Sequence, residues 1–237
     1  MRGAALAGAI ARLEERFGSG VVLPGGARES RAATRTLAFG LPSLDALLEG
    51  GVVAGEPQLL VGAPASGALT LTLALVGSAQ AAGGEVAWLD PARSFDPLAA
   101  ATLDVDLARL LLVRADAADL AFAASVLARS SAFVLVVLDL TRADVGPAEL
   151  GTVLARARAA RVRLLVIGDR VANVSAPLAS VRRREWLREN GRLVGWRSEV
   201  TREHDDRVAR LAFAPLALPP RAVVDEGLEI SRVEALA

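Results

Sequence analysis

The sequence predicts an α/β protein with a mostly parallel sheet, flanking helices and antiparallel hairpins toward its C-terminal end. Continuous apolar runs of strand length alternate with helix-length stretches through the middle of the chain, as in strands buried on both faces. A glycine-bearing loop joins the first of these strands to a helix. After about residue 178 the pattern changes to strands joined by short polar turns, which indicates antiparallel pairing.

The elements of the parallel half are predicted from length and apolar character. Connecting segments rich in glycine, proline or aspartate separate them. We expect strands at 58–61, 85–89, 110–113, 133–138 and 163–167, and helices at 68–82, 120–129 and 148–160.

The C-terminal part reads as antiparallel strands at 181–187, 192–203 and 207–213, with Asn190-Gly191 as a hairpin turn. We therefore divide the chain into three parts. Residues 1–33 hold an N-terminal helix, a short strand and a linker, residues 34–214 form the core, and residues 215–237 form a tail that ends in a last strand or helix.

Composition limits the classes of function. Hydrophobic residues make up 53% of the 237, and 27 cationic side chains, all arginine, balance 27 acidic ones. No global field attracts nucleic acid or an acidic membrane. The absence of cysteine excludes disulfides and thiolate metal sites. Arg2 and the small residues after it could form a signal peptide, but the helical spacing of Leu6, Ile10, Leu13 and Phe17 favours an amphipathic helix. We therefore expect a cytoplasmic protein without membrane segments.

The loop Gly62–Thr70, with the sequence GAPASGALT, carries the chief chemical signal. A phosphate-binding loop reads GxxxxGK[ST], with the lysine neutralising phosphate and the hydroxyl holding magnesium. Here Gly62 and Gly67 are in register, but Ala68 and Leu69 occupy the lysine and hydroxyl positions. Thr70 comes one residue late and would point about 100° away on a helix. Two interpretations follow: a turn kept for packing, or a nucleotide site completed by an arginine from another loop.

The segments around this loop resemble bacterial RecA recombinase as far as about residue 213. The similar segments are ALAGAIARLEERFGSG at 5–20, LPSLDALLEGG at 41–51, AAGGEVAWLDPARSFDP at 81–97 and the apolar strand at 133–140. Several motifs in the same order make chance agreement improbable. The resemblance implies a RecA-like P-loop NTPase core.

The departures from the RecA pattern fall at catalytic positions. Ala92 lies where the family has the glutamate that activates water, and Asp169 where it has a glutamine that senses the γ-phosphate. The Walker B aspartate is kept as Asp139, followed by Leu140 in place of a hydroxyl residue. The resemblance thus implies a protein without ATP hydrolysis, with weak or absent ATP or ADP binding and no other cofactor. Its vestigial site consists of Gly62, Gly67, Thr70 and Asp139.

A RecA relative of this kind resembles ImuA, the accessory factor of mutagenic lesion-bypass cassettes, and also the SulA-like division inhibitors. This implies protein–protein interaction in DNA damage tolerance, with RecA or a lesion-bypass polymerase subunit as partner, and possible self-association. DNA binding is expected to be weak or indirect. A nucleotide-binding regulator and a residual DNA-binding recombinase paralogue remain open.

Two groups of residues are candidate interaction sites. The first is the apolar stripe of the helix predicted over 4–17: Leu6, Ile10, Leu13 and Phe17. The equivalent helix of RecA packs on a neighbouring protomer, which implies partner binding, but a role in the core of this chain is equally open for Leu13 and Phe17. The second is the basic cluster with Arg182, Arg184 and Trp186. That cluster fits a nucleic-acid patch, a protein hot spot or a solvated edge strand, and Glu185 and Glu189 weaken its field. His204, the sole histidine, is expected in an exposed turn.

Overall fold

Short apolar strands and the apolar faces of two sets of helices determine the architecture. The computed structural model describes residues 36–130, 132–169, 178–203, 205–214 and 221–230. The helix predicted over 4–17, with Leu6, Ile10, Leu13 and Phe17, lies outside these residues, as does His204. Residues Leu37–Ala237 form one compact unit, and Met1–Thr36 form another, of which only Thr36 is described.

A nine-stranded sheet is the centre of the larger unit, with the strand order β11-β10-β9-β8-β3-β7-β6-β4-β5. Strands β8, β3, β7, β6, β4 and β5 run parallel to one another, whereas β8, β9, β10 and β11 pair antiparallel. A separate two-stranded sheet joins β1 and β2. The strand bounds are β1 Thr36–Leu37, β2 Val52–Val53, β3 Gln58–Gly62, β4 Glu85–Leu89, β5 Leu110–Val113, β6 Phe133–Asp139, β7 Leu164–Gly168, β8 Leu178–Glu189, β9 Arg192–Arg202, β10 Arg207–Ala214 and β11 Arg221–Ile230.

The helices cover the two faces of the parallel half. On α4 and α5, buried residues recur at helical spacing, for example Leu150, Val153, Leu154 and Ala157. These two helices close one apolar core, and α1 and α2 close the other. None of the described helices has the length and apolar character of a bilayer span. The helix bounds are α1 Pro42–Leu47, α2 Ala68–Ala81, α3 Pro97–Ala101, α4 Leu120–Ser130 and α5 Pro147–Ala160.

The predicted fold class is confirmed, since the sheet is mostly parallel, carries helices on both faces and ends in antiparallel hairpins. The strands predicted at 85–89 and 110–113 have the expected bounds. The strand with Arg182, Arg184 and Trp186 lies between β3 and β9 only at its start, because β3 pairs with β8 from Leu178 to Val181. From Arg182 onward the described part of β8 pairs with β9 alone, so the basic cluster lies along a free strand edge, as the edge-strand interpretation predicts.

The segment assigned to a tail contributes a further strand. β11 pairs with β10 from Arg207 to Ala214, so the sheet extends beyond residue 214. Of the two predictions for the end of the chain, a strand or a helix, the strand is confirmed for residues 221–230. Asp225 fastens this strand to α1, because its carboxylate accepts a hydrogen bond from the Ser43 amide at 2.7 Å.

We predict that Asp225→Ala destabilises the fold by about 1–3 kcal/mol, because a largely buried amide loses its acceptor. Glu229→Gln, in the same strand, is the control. It breaks a surface ion pair with Arg210 (3.0 Å) that is worth about 1 kcal/mol or less. Urea unfolding measures both free energies. Equal losses in the two variants would show that the Asp225–Ser43 contact does not anchor β11.

Candidate functional site

The turn between β3 and α2 has the strand–loop–helix geometry of a phosphate-binding loop. Its backbone takes positive φ angles at Ala65 (60°) and Gly67 (103°). The Ser66 amide donates to the Ala63 carbonyl at 2.9 Å, which closes the turn. Helix α2 starts at Ala68, so the amides of its first turn lack acceptors within the helix. The backbone expected from the motif is therefore present.

The antiparallel half of the sheet supports this loop from behind. The Ser198 hydroxyl of β9 donates to the Ser66 carbonyl at 2.5 Å. A side chain at Gly67 would put its Cβ 2.5 Å from Cζ of Phe213, on β10. The Phe213 ring is stacked on Trp196 with 5.2 Å between ring centroids. Glycine is thus required at position 67 by packing, whether or not a ligand binds.

Residues 68 and 69, where the motif has a lysine and a hydroxyl residue, have hydrocarbon side chains. The Ala68 side chain is nearly buried and places only a methyl group at the lysine position. Leu69 is 40% exposed, so an apolar side chain faces solvent where the magnesium-binding hydroxyl would lie. Thr70 is half-buried and also borders the cleft above the loop.

The cleft has a volume of about 460 Å³. Carboxylates Asp96 and Asp139 line it, and among the described residues Arg142 is its one cation. Asp96 is already engaged, because it accepts from the Leu98 and Ala99 amides at 2.9 and 3.1 Å as the cap of α3. In the described part of the chain, no cluster of three metal-binding side chains occurs. The remaining lining residues are the loop 62–70, Ser94, Phe95, Thr141, Gly168 and Trp196.

Asp139 lies at the end of β6, buried at the floor of the cleft. Burial raises its pKa above the usual value of 3.8, and the nearby Asp90 carboxylate adds to that rise. Hydrogen bonding from Thr141, whose amide donates to Asp139 at 2.9 Å, acts in the opposite direction. Burial therefore disfavours the charged form of this carboxylate.

Other residues of the RecA-like segments have partners within the chain. The Asp45 carboxylate accepts from the amides of Phe39, Gly40 and Leu41 at 2.7–3.1 Å. Asp90 accepts from the amides of Ser94 and Phe95 at 2.8 and 3.0 Å and thereby shapes the turn after β4. Each of these carboxylates organises backbone, which gives it a structural reason to persist.

The remaining departures from the motif pattern lie away from the cleft lining. Ala92 is half-buried in the turn after β4, and Asp169 is exposed immediately after β7. Neither borders the cleft, although Gly168, next to Asp169, does. Leu140 is buried against α4 and α5. Of the predicted vestigial site, the structure brings together Gly62, Gly67, Thr70 and Asp139.

The basic cluster on β8 is divided by the structure. Arg184 forms an ion pair with Glu199, which also faces Arg210 at 3.4 Å. Trp186 is 46% exposed and contacts Trp196 edge to face, and the Arg183 guanidinium lies over its ring at 4.1 Å. Arg182 is exposed opposite Glu199 in the strand register. The tryptophan and the paired arginines thus belong to different environments.

Sequence reasoning missed the residues that reach the loop from β9 and β10. Trp196, Ser198 and Phe213 lie more than 120 positions from the loop in the chain, and no fixed spacing links them to it. The one available signal was an aromatic residue in each of two predicted antiparallel strands. Their meeting at Gly67 depends on the sheet order.

Comparison with known proteins gives the family. Residues 4–175 match the RecA N-terminal domain. The chain is similar to Protein RecA of Rhodospirillum centenum, with 38% identity over 148 residues, covering 62% of this chain and 41% of that protein. Protein RecA of Azospirillum lipoferum is 37% identical, with the same 62% and 41% shares. That of Streptomyces ambofaciens is 38% identical, covering 62% and 40%. The chain thus spans about two fifths of the length of these curated relatives.

We predict that Gly67→Ala lowers the free energy of unfolding by more than the roughly 1–2 kcal/mol that the left-handed backbone conformation alone would cost. The excess comes from the clash with Phe213 and is expected to be about 1–3 kcal/mol. Gly83→Ala is the matched control, because Gly83 also has a positive φ (86°) but no atom within 4 Å of the position that its new methyl group would take. If urea unfolding gives the same loss for both variants, the ring contact does not determine the loop.

The raised pKa of Asp139 makes stability depend on pH. The folded state binds this proton more tightly, so the contribution of Asp139 is complete below pH 3.8 and is lost as pH rises through the folded-state pKa. We predict that Asp139→Asn, which keeps an acceptor for Thr141, is more stable than the parent protein near neutral pH. The difference should vanish below pH 3.8. A variant that is less stable at neutral pH would show that the carboxylate is compensated.

Proposed function

The chain belongs to the RecA family, and we propose that it acts as a member that does not hydrolyse ATP. The observation that carries this proposal is the division between retained and lost residues. Gly67, Asp45 and Asp90 each have a packing or hydrogen-bonding role within the fold. The substituted positions, Ala68 and Leu69 above all, are those whose side chains would serve a ligand. Such a pattern fits a fold maintained without its chemistry.

Electrostatics supports the same conclusion. Phosphoryl transfer depends on neutralising charge that develops on the transferred group. The cleft presents Asp96 and Asp139 against Arg142, and the sequence has no lysine that could reach it from another loop. An apolar Leu69 at the magnesium position leaves Asp139 without the hydroxyl that would share the metal. The site is therefore poorly suited to a magnesium triphosphate.

We further propose that the protein works through protein–protein contacts in DNA damage tolerance, as an ImuA-like accessory factor or a regulator of RecA. The partner would be RecA itself or a lesion-bypass polymerase subunit. This rests on the family, on the loss of ligand-facing side chains and on the resemblance to ImuA. A SulA-like division inhibitor is the alternative within the same class.

A nucleotide-binding regulator without turnover is the second candidate function. The loop backbone favours it, because the first-turn amides of α2 and the positive end of the helix still face a cleft. Arg142 is the cation that would meet a phosphate there. Arg142→Gln separates the two functions, because it should abolish nucleotide binding if this second function is correct and change nothing otherwise.

We predict that the purified protein releases phosphate from ATP no faster than buffer, with or without single-stranded DNA. The combined variant Ala68→Lys with Leu69→Thr should recover binding at most, because Ala92 supplies no carboxylate to activate water. A phosphate-release assay measures both proteins. Turnover by the parent chain in the usual enzyme range, abolished by Asp139→Asn, would contradict the proposal.

The partner proposal predicts that the stripe of the helix expected over 4–17 docks on a RecA-type surface. Leu13→Asp combined with Phe17→Ala should abolish co-sedimentation with RecA filaments, because a charge and a truncation remove the apolar contact. Arg12→Gln, predicted on another face of the same helix, is the control. If the double variant stays folded and neither co-sedimentation nor its solution mass changes, the helix is not a docking element.

A further inference from the structure

The ribbon formed by β8 and β9 has a strand edge that pairs with no other described strand. β3 pairs with β8 only from Leu178 to Val181, and from Arg182 onward the described part of β8 pairs with β9 alone. An unpaired strand edge presents a row of backbone N–H and C=O groups that can accept another strand. We call the outer side of residues 182–189 the free edge of β8.

Two arginines and a tryptophan lie beside this edge on one face of the ribbon. The bulge at Arg184 brings Arg183 and Trp186 onto the same face, with Cζ of the guanidinium 4.1 Å from the centre of the indole. Arg188, two positions after Trp186, follows onto that face. Trp186 is 46% exposed, and Leu193, opposite Arg188 in the register, is 38% exposed. An exposed apolar surface is thus flanked by two cations.

The glutamates of β8 do not neutralise these two cations. Glu185 lies on the opposite face of the ribbon, where it forms an ion pair with Arg197. Glu189, four positions further along the strand, belongs to the same face as Glu185. In the described part of the chain, the polar partners of the Arg183 and Arg188 guanidiniums are backbone carbonyls at 3.3 and 3.2 Å. Neither of these two charges is paired with a carboxylate there.

We propose that an acidic, extended protein segment adds to the free edge of β8 as a further strand. The inference rests on the proposed function, because it names the chemistry of one partner of a protein that acts through protein–protein contacts. Backbone groups of the segment pair with those of the edge, and its side chains set the specificity. On the exposed apolar face, an apolar residue lies opposite Trp186. Acidic residues two positions before and after it lie opposite Arg183 and Arg188.

The edge favours a peptide over other occupants. A peptide strand supplies both donors and acceptors to the row of backbone groups, whereas the sugar–phosphate backbone of DNA only accepts hydrogen bonds and would leave the edge carbonyls without donors. A second copy of the same edge is disfavoured, because arginines would then lie opposite arginines. Tryptophan and arginine are also the side chains most enriched among the residues that dominate protein–protein binding energy.

The test measures fluorescence anisotropy of a labelled peptide titrated with the full chain. The peptide has a central phenylalanine, a glutamate two positions before it and another two positions after it, and threonine and valine elsewhere. Trp186→Ala should weaken binding about tenfold or more, and Trp186→Phe should retain most of it. Arg188→Gln should weaken binding about two- to fivefold. Arg192→Gln is the matched control, because it removes the same charge at the same hairpin end from the opposite face, and it should leave the affinity nearly unchanged.

Methylation of the peptide backbone separates strand addition from diffuse attraction to arginine. In an extended strand, successive N–H groups point to opposite edges, so only one alternate set of them can face β8. N-methylation of one alternate set should abolish binding, whereas N-methylation of the other set should retain it. A peptide with glutamine in place of both glutamates should bind several-fold more weakly than its parent. The thermal melting temperature verifies that each protein variant is folded.

Several results would overturn the proposal. The peptide fails to bind at low salt; or both methylated peptides bind alike, which indicates that no strand is added. It also fails if oligothymidylate of matched charge displaces the peptide as well as the unlabelled peptide does, which indicates a nucleic-acid site. A dimer of the chain that the peptide dissociates would identify a second copy as the occupant instead.

Co-sedimentation with RecA filaments, measured on the same preparations, tests the proposed function separately. That measurement depends on the helix expected over 4–17, which belongs to a different part of the chain. If the peptide fails to bind while co-sedimentation persists, the free-edge proposal alone is wrong. If co-sedimentation is absent and the peptide binds as described, the free-edge proposal stands and the docking of the helix on RecA is wrong.

Discussion

The contact between Gly67 and the Phe213 ring is the constraint on which the rest of the site depends. It holds the loop after β3 against β10, while Ser198 fixes the carbonyl of the preceding residue. Trp196, stacked on Phe213, completes the support and forms part of the cleft wall. Packing and hydrogen bonds within the chain therefore hold the backbone of this loop. The glycine at position 67 has a structural explanation that requires no bound phosphate.

The two halves of the sheet have different surroundings and different distributions of charge. The parallel half is covered by helices on both faces and is almost entirely apolar. The antiparallel half packs one face on the core that includes α1 and α2. Its other face carries a ladder of cross-strand ion pairs that includes Arg184, Arg197 and Arg210 with Glu185, Glu199, Glu226 and Glu229. Much of the local arginine content is thus neutralised in place.

The sequence predicted the parallel half well because each buried strand is a continuous apolar run with a turn at each end. It also identified Gly62, Gly67, Thr70 and Asp139, which all line one cleft. It failed where the outcome depends on the order of strands in space. The pairing of β8 with β3 and the contact of Trp196 and Phe213 with the loop join residues far apart in the chain. Glu185 and Glu189 illustrate a second reason, since only the register and the bulge at Arg184 assign each side chain to a face.

Thermal unfolding in the presence of magnesium and ATP tests the central claim most directly, because it registers binding whether or not turnover follows. A ligand at one hundred times its dissociation constant stabilises a folded protein by about 2.7 kcal/mol. Because Ala68 and Leu69 replace the lysine and the hydroxyl residue of the motif, we predict that millimolar nucleotide does not change the melting temperature. A saturable rise at micromolar ATP, lost in Arg142→Gln, would contradict the account and show that the cleft still binds nucleotide.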